Sequence, residues 1–228
     1  MEFLSLPKHI GFIMDGNGRW AKAKGMPRIS GHKAGVRQVD VVVDLCLKYR
    51  ISYVSLYVFS TENWSRPQSE VENLFDLARV YLKKAQVFLK KDVRVVVSGD
   101  KTKLPDDLQR AIFDVQTKTA NCKSLTLNLC INYGGRDEIV HAVNAAVASG
   151  VPVDEKSFKN YFYNPFLPEL DLVVRTGGEV RLSNFMLFDA AYAELYFSDV
   201  MWPDFDKDEF EKMLFSYQNR VRKFGDIK

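Results

Sequence analysis

Long apolar runs are missing from this chain of 228 residues. None approaches the roughly 18 to 20 consecutive apolar residues that cross a bilayer, so any membrane contact is expected to be peripheral. Cysteine is scarce. The three present, Cys46, Cys122 and Cys130, lie in no metal-ligand spacing, and an odd count inside apolar segments suits reduced, buried thiols in a cytosol. The opening residues, MEFLSLPKH, carry no basic stretch followed by an apolar core, so no signal peptide is read. No Pro/Gly/Ser-rich linker, internal repeat or low-complexity segment divides the chain, which reads as one domain over residues 1–228. Charge of one sign is lacking as well. The formal charge is +3 and the basic residues are scattered among 29 acidic ones, so a nucleic-acid surface is not indicated. Neither G-x-G-x-x-G nor G-x-x-x-x-G-K-[ST] follows the first apolar segment, which excludes the common nucleotide-binding loops.

What is present is enough for a sizeable core: 46% of residues are apolar and 13% aromatic. Apolar segments of strand length occur at Ile10 to Met14, Tyr53 to Phe59, Val93 to Ser98, Leu125 to Ile131, Leu172 to Val174 and Ala193 to Phe197. Between them run helical patterns. Val36, Val39, Val43 and Leu47 mark a helix from Ser30 to Tyr49, and Val71 to Leu89 forms one broad stripe behind a Ser69 cap. Further helices are expected at Leu108 to Thr119, from Arg136 through Ala148, around Ser157 to Tyr163, and at Phe210 to Val221. Strands alternating with helices predict an α/β fold with a mostly parallel, about six-stranded central sheet flanked by helices.

Ligands of open α/β sheets sit beyond the carboxyl ends of the strands. The residues standing there are polar and carry arginine. Asp15-Gly16-Asn17-Gly18-Arg19-Trp20 follows the first strand, and Ser60-Thr61-Glu62-Asn63-Trp64-Ser65-Arg66-Pro67 the second. Asn132-Tyr133-Gly134-Gly135-Arg136 follows the fourth, and a segment from Arg175 through Arg181, Ser183 and Asn184 the fifth. Glycine lets a ligand approach the backbone closely, while turn N–H groups, or those of a helix after the turn, supply positive potential together with Arg19. Four such clusters on one sheet edge point to a single site for an anion such as a diphosphate with its metal ion. Each cluster taken alone fits a plain turn with solvated charges.

The motifs MDGNGRWAK, GHKAG, FSTENWSRP, NYGGR, RTGGEVRLSNF, AYAELYF and WPDF, in this order and spacing, resemble the cis-prenyltransferases, and within them the bacterial undecaprenyl diphosphate synthases, over nearly the whole chain. The resemblance implies extension of an allylic diphosphate, commonly farnesyl diphosphate, by repeated cis addition of isopentenyl diphosphate. It implies Mg²⁺, a homodimer, a cytoplasmic enzyme in peripheral contact with the inner face of the membrane through its lipid product, and carrier-lipid supply for cell-wall glycans. A short-chain cis-synthase and a non-catalytic partner subunit are the alternatives; the latter typically loses the aspartate that Asp15 retains.

By the same resemblance, Asp15 binds Mg²⁺ and assists departure of the allylic diphosphate, with Glu194 as the second metal carboxylate. Gly16, Asn17, Gly18, Arg19, Arg28 and His32 match the cradle of that diphosphate. Arg175, Arg181 and Ser183 match the site for isopentenyl diphosphate, where forked guanidinium donors suit phosphate oxygens. Asn63 matches the residue given the proton-removal role, but a neutral amide is a poor base, so it reads as an orienting group, with diphosphate, water or His32 as proton acceptors. Ser60, Thr61, Glu62, Trp64 and Arg66 belong to a loop expected to close over substrate. Trp20 and Trp64 are expected to touch it. The Val71 to Leu89 stripe would wall a tunnel for the growing chain. Val58 stands where many relatives carry alanine and would narrow that tunnel. Val180 replaces a frequent histidine, and Lys223-Phe224-Gly225 replaces the usual Arg-Xaa-Gly tail.

Overall fold

The computed structural model describes residues 3–220. Six parallel strands form one sheet: β1 (His9–Ile13), β2 (Tyr53–Ser60), β3 (Val93–Ser98), β4 (Leu125–Tyr133), β5 (Leu172–Arg175) and β6 (Glu194–Phe197), in the order β3-β4-β2-β1-β5-β6. The expected fold class is the observed one. Side chains alternate across the strands, and both faces are covered. Ile10 and Phe12 of β1 and Leu172 and Val174 of β5 enter the larger core cluster, while Ile13 and Val173 enter a smaller one on the other face with Cys130, Phe185 and Met186. All three cysteines are buried and unpaired.

The larger cluster is completed by α2 (Arg28–Lys48), α3 (Gln68–Leu82), α4 (Ala85–Lys90), α5 (Asp106–Thr119) and α8 (Lys207–Gln218). The remaining helices are α1 (Asn17–Ala23), α6 (Gly135–Ser149) and α7 (Glu155–Phe158), the last continued by a single 3₁₀ turn over Lys159–Tyr161. Residue Val221, the expected end of the last helix, and the Lys223-Phe224-Gly225 tail lie outside the described residues.

Two local expectations need correction. The single helix from Val71 to Leu89 is two helices. It breaks at Lys83 and Lys84, where the Lys84 N–H reaches back only three residues to the Tyr81 carbonyl. An apolar stripe keeps its spacing through such a tightened turn, so periodicity does not reveal it. The cap of α3 is Pro67, not Ser69, which lies inside the first turn. Fixed φ makes proline a good helix starter, and its missing N–H costs nothing there.

The turn after β1 is followed by helix α1, of seven residues. Gly16 enters it at φ 103, a left-handed conformation that glycine adopts without a Cβ penalty. Close packing of α1 on α2 depends on Gly31, where an added Cβ would stand 1.9 Å from the Asn17 carbonyl oxygen.

Candidate active site

The chain runs from β1 to β2 and out to the edge strand β3, fills β4 between those two, then returns to place β5 on the other side of β1. The crevice between β1 and β5 is therefore a switch point of the sheet, where ligands of such folds bind. Register pairs Ile13 with Arg175 at the carboxyl edge, so the residues just beyond meet. Arg175 Nη2 donates to Asp15 Oδ2 at 2.9 Å, and its Nη1 donates to the Ser183 hydroxyl at 2.6 Å and the Arg181 carbonyl at 2.7 Å. The Gly16 N–H donates to Asp15 Oδ1 at 2.6 Å, and Arg19 lies 3.3 Å from the same oxygen. Burial opposes ionisation of Asp15, but the hydrogen bonds from Arg175 and Gly16 and the charges of Arg175 and Arg19 outweigh it and hold the carboxyl below its usual range.

Around this pair opens a cavity of about 580 Å³. All four polar clusters predicted at the strand ends reach it. Asp15, Gly16, Asn17 and Gly18 come from the first, with Arg28 and His32 from α2. Ser60, Glu62, Asn63 and Arg66 come from the second, Arg136 from the third, and Arg175, Ser183 and Asn184 from the last. Four of these residues are arginines, which gives the cavity the character of an anion site.

Ser60 and Asn63 form a capping box. The Asn63 side-chain oxygen accepts from the Ser60 N–H at 3.1 Å, so this amide is committed to shaping the loop. His32 is mostly buried, and burial lowers its pKa to about 4, so it is neutral at pH 7. Its Nε2 has no hydrogen-bond partner and stands 3.7 Å from Glu70 Oε1. That same oxygen receives Arg28 Nε at 3.1 Å and Arg66 Nη1 at 3.0 Å.

Six expected residues are not on the cavity wall. Arg19 is turned to Asp15. The Trp20 indole donates to Asp204 and the Trp64 indole to Asn132, each at a distance typical of a good hydrogen bond, and Trp64 packs edge-on against Phe59 and Phe75. Neither tryptophan lines the cavity. Thr61 stands against Gly134. Arg181 is directed at Glu179, 2.5 Å away, and contributes its carbonyl to Arg175. Glu194 opens β6, in register with Leu172 and three residues before the carboxyl edge, and pairs with Arg220 at 2.8 Å. Three strand residues are about 10 Å, so within one chain Glu194 does not share a site with Asp15.

Sequence reasoning passed over Glu70, Asn184 and the role of Arg136. Asn184 sits at φ 65 beside Ser183 at φ 48, a left-handed pair that is uncommon outside glycine. The conformation lets one side chain bridge two loops: its Nδ2 donates to Glu62 and its Oδ1 accepts from the Arg136 N–H. The SNF sequence after the arginines carried that signal.

A second, apolar cavity of about 80 Å³ adjoins the first and shares Met14, Asn17, His32, Val58 and Leu74 with it. It runs between α2 and α3. Val58 thus lies at the junction of a polar space with an apolar one.

The sequence profile of the family described as "Putative undecaprenyl diphosphate synthase" matches residues 13–225. The chain belongs to the undecaprenyl diphosphate synthase family of cis-prenyltransferases. An isoprenyl transferase of Fusobacterium nucleatum is 45% identical to the enzyme, over 98% of each chain. A protein of Legionella pneumophila is 43% identical over 97% of each and is named ditrans,polycis-undecaprenyl-diphosphate synthase, (2E,6E)-farnesyl-diphosphate specific. The solved structure of lavandulyl diphosphate synthase from Lavandula x intermedia, in complex with dimethylallyl diphosphate, superposes with a TM-score of 0.93 at 30% identity, covering 97% of the enzyme and 99% of that chain.

A metal could be held here only by few protein groups. Among the described residues no three acidic, histidine or cysteine side chains converge. Asp15, ionised and about one-third exposed at the rim of an arginine-lined cavity, fits a Mg²⁺ that arrives with a diphosphate, because that ion keeps several waters and uses one or two carboxylates plus phosphate oxygens. No helix among the described residues is long and apolar enough to cross a membrane.

Proposed function

We propose that the enzyme condenses isopentenyl diphosphate units in cis onto an allylic diphosphate, farnesyl diphosphate in the first instance, and makes a long-chain polyprenyl diphosphate of the undecaprenyl type for the cell-wall carrier lipid. The observation that carries this reading is the junction of an arginine-lined cavity with an apolar one: a substrate with a diphosphate head and a hydrocarbon tail matches both halves. The farnesyl-specific name of the Legionella relative supports the starter. Asp15 would hold Mg²⁺, which supplies charge neutralisation to the departing diphosphate.

In each addition the allylic carbon–oxygen bond breaks and the electron pair leaves with the diphosphate. The isopentenyl double bond forms the new carbon–carbon bond, and a proton leaves the isopentenyl unit as the new double bond is made. The cationic side chains Arg28, Arg66, Arg136 and Arg175 favour the growth of negative charge on the leaving group. His32, neutral and with a free ring nitrogen, stands between head and tail spaces and can accept the proton, as can diphosphate or water. Asn63 orients the loop through Ser60. Arg175 and Ser183, with Arg181 swung in from Glu179, would take the isopentenyl diphosphate. Trp64 and Thr61 belong to the loop that would close over the substrates. We assign the active form to a homodimer, with peripheral membrane contact through the product.

A short-chain synthase is the second reading, favoured by the small volume of the apolar cavity and by the superposition on lavandulyl diphosphate synthase. Incubation with farnesyl diphosphate, radiolabelled isopentenyl diphosphate and Mg²⁺, followed by chain-length separation, decides. A ladder reaching about eleven isoprene units supports the first reading, an early stop supports the second, and no incorporation with any allylic starter overturns both.

A further inference from the structure

Three of the four strand-end clusters meet at one side chain. Asn184 closes the 175–184 segment, which also carries Arg175 and Ser183. Its Oδ1 accepts from the Arg136 N–H at 2.8 Å, and its Nδ2 donates to Glu62 Oε1 at 2.7 Å. A backbone N–H can only donate, so the amide oxygen is fixed toward the first turn of α6 and the amide nitrogen toward the loop after β2. The junction is tight. At Gly134 an added Cβ would stand 2.7 Å from both Asn184 Nδ2 and Thr61 Oγ1, so no side chain fits there unless loop or segment moves.

Glu62 sits in a 3₁₀ turn over Thr61–Ser65, and Glu62, Asn63 and Arg66 all line the polar cavity. Arg66 shares one oxygen of Glu70 with Arg28, so this loop lies on the side of the residues matched to the allylic diphosphate. Burial opposes ionisation of Glu62, but hydrogen bonds, that from Asn184 foremost, outweigh it and hold the carboxyl below its usual range. A charged acceptor requires a donor opposite it, and Asn184 supplies one.

The backbone at the junction is held by other bonds. The Asn184 carbonyl accepts from the Gly135 N–H at 2.7 Å, the Tyr57 hydroxyl reaches the Ser183 and Tyr133 carbonyls at 3.3 and 3.4 Å, and Phe185 is fully buried. Exchange of the Asn184 side chain therefore releases the loop and leaves the fold. We propose that Asn184 is a positioning residue whose side chain fastens the loop beside the allylic diphosphate to the segment beside the isopentenyl diphosphate, so that binding of both diphosphates depends on it. This rests on the condensing activity proposed above.

The test is a double-mutant cycle on the full-length enzyme with farnesyl diphosphate, radiolabelled isopentenyl diphosphate and Mg²⁺, for wild type, Asn184→Asp, Glu62→Gln and the two together. Aspartate also tolerates the left-handed φ of 65 and keeps an acceptor for the Arg136 N–H, but it sets a carboxylate against Glu62. Asn184→Asp should raise KM for both diphosphates about tenfold, the scale of one charged hydrogen bond, with a smaller change in kcat and an unchanged melting temperature. In the Glu62→Gln background the new amide donates to the new carboxylate, and the same substitution should move neither KM by more than about twofold. Asn184→Gly suits the left-handed φ and only deletes the clasp; it should raise both KM values and guards against misfolding of the aspartate variant. Wild-type KM values in Asn184→Asp and Asn184→Gly, a rise confined to one substrate, or an equal rise from Asn184→Asp in both backgrounds would overturn the role of Asn184 while leaving the condensing activity intact. Absence of incorporation by wild type would instead overturn the activity on which it rests.

Discussion

The two adjoining cavities differ in what holds them open. The polar one is propped by fixed charges: Arg175 is locked to Asp15 and Ser183, and Arg28 and Arg66 share one oxygen of Glu70. The apolar one is bounded by Val36, Val39, Leu77 and Leu82, side chains without directional bonds that can yield to a guest. A preorganised charge site suits stabilisation of developing charge, and a compliant apolar site suits a tail whose length changes at every turnover. Under the proposed condensation, the diphosphates would sit in one cavity and the hydrocarbon tail in the other.

Removing the charge anchor should produce the largest effect. Asp15→Ala is expected to lower kcat by about 10²- to 10³-fold, the scale of losing one preorganised electrostatic group, with the fold retained by circular dichroism. Normal turnover would remove the carboxylate from the mechanism. Arg181 sharpens the polar half further. Its side chain faces Glu179 here and has to swing to reach a diphosphate. Arg181→Ala should raise KM for isopentenyl diphosphate about tenfold, the scale of one charged hydrogen bond, and raise KM for the allylic substrate less. Equal effects on both would mean that the two diphosphates do not use separate groups.

The smallest expected effect lies away from both cavities. His9 is fully buried in β1; its ring nitrogens meet the Pro168 carbonyl and the Ser55 hydroxyl, both at 2.8 Å. Burial lowers its pKa from 6.5 to about 4. The folded ring stays neutral where the unfolded one is protonated, so its contribution is present above pH 6.5 and is lost as pH falls toward 4. The stability advantage of wild type over His9→Gln in urea denaturation should therefore shrink by up to about 3 kcal/mol between those pH values. An advantage independent of pH would contradict the burial of a neutral ring.

Charge clusters were legible in the sequence because each stands directly after a strand, and a parallel sheet brings all such positions to one edge. Asp15, Arg175 and Ser183 meet for that reason alone. Side-chain hydrogen bonds between loops were not. Trp20 and Trp64 sit in the same motifs as the cavity residues, yet their indoles are drawn to Asp204 and Asn132. Glu194 has a carboxylate that spacing could not place along its strand; register puts it at the wrong end of β6 for Asp15. The break at Lys83 and Lys84 left no mark on the apolar period.

The division of labour between the cavities is tested most directly at their junction, by following product lengths over time for wild type and Val58→Ala at saturating substrates. A wider passage beside an undisturbed charge site predicts an unchanged rate of first addition and a ladder that extends further. A slowed first addition with the wild-type ladder would contradict the separation of chemistry from length.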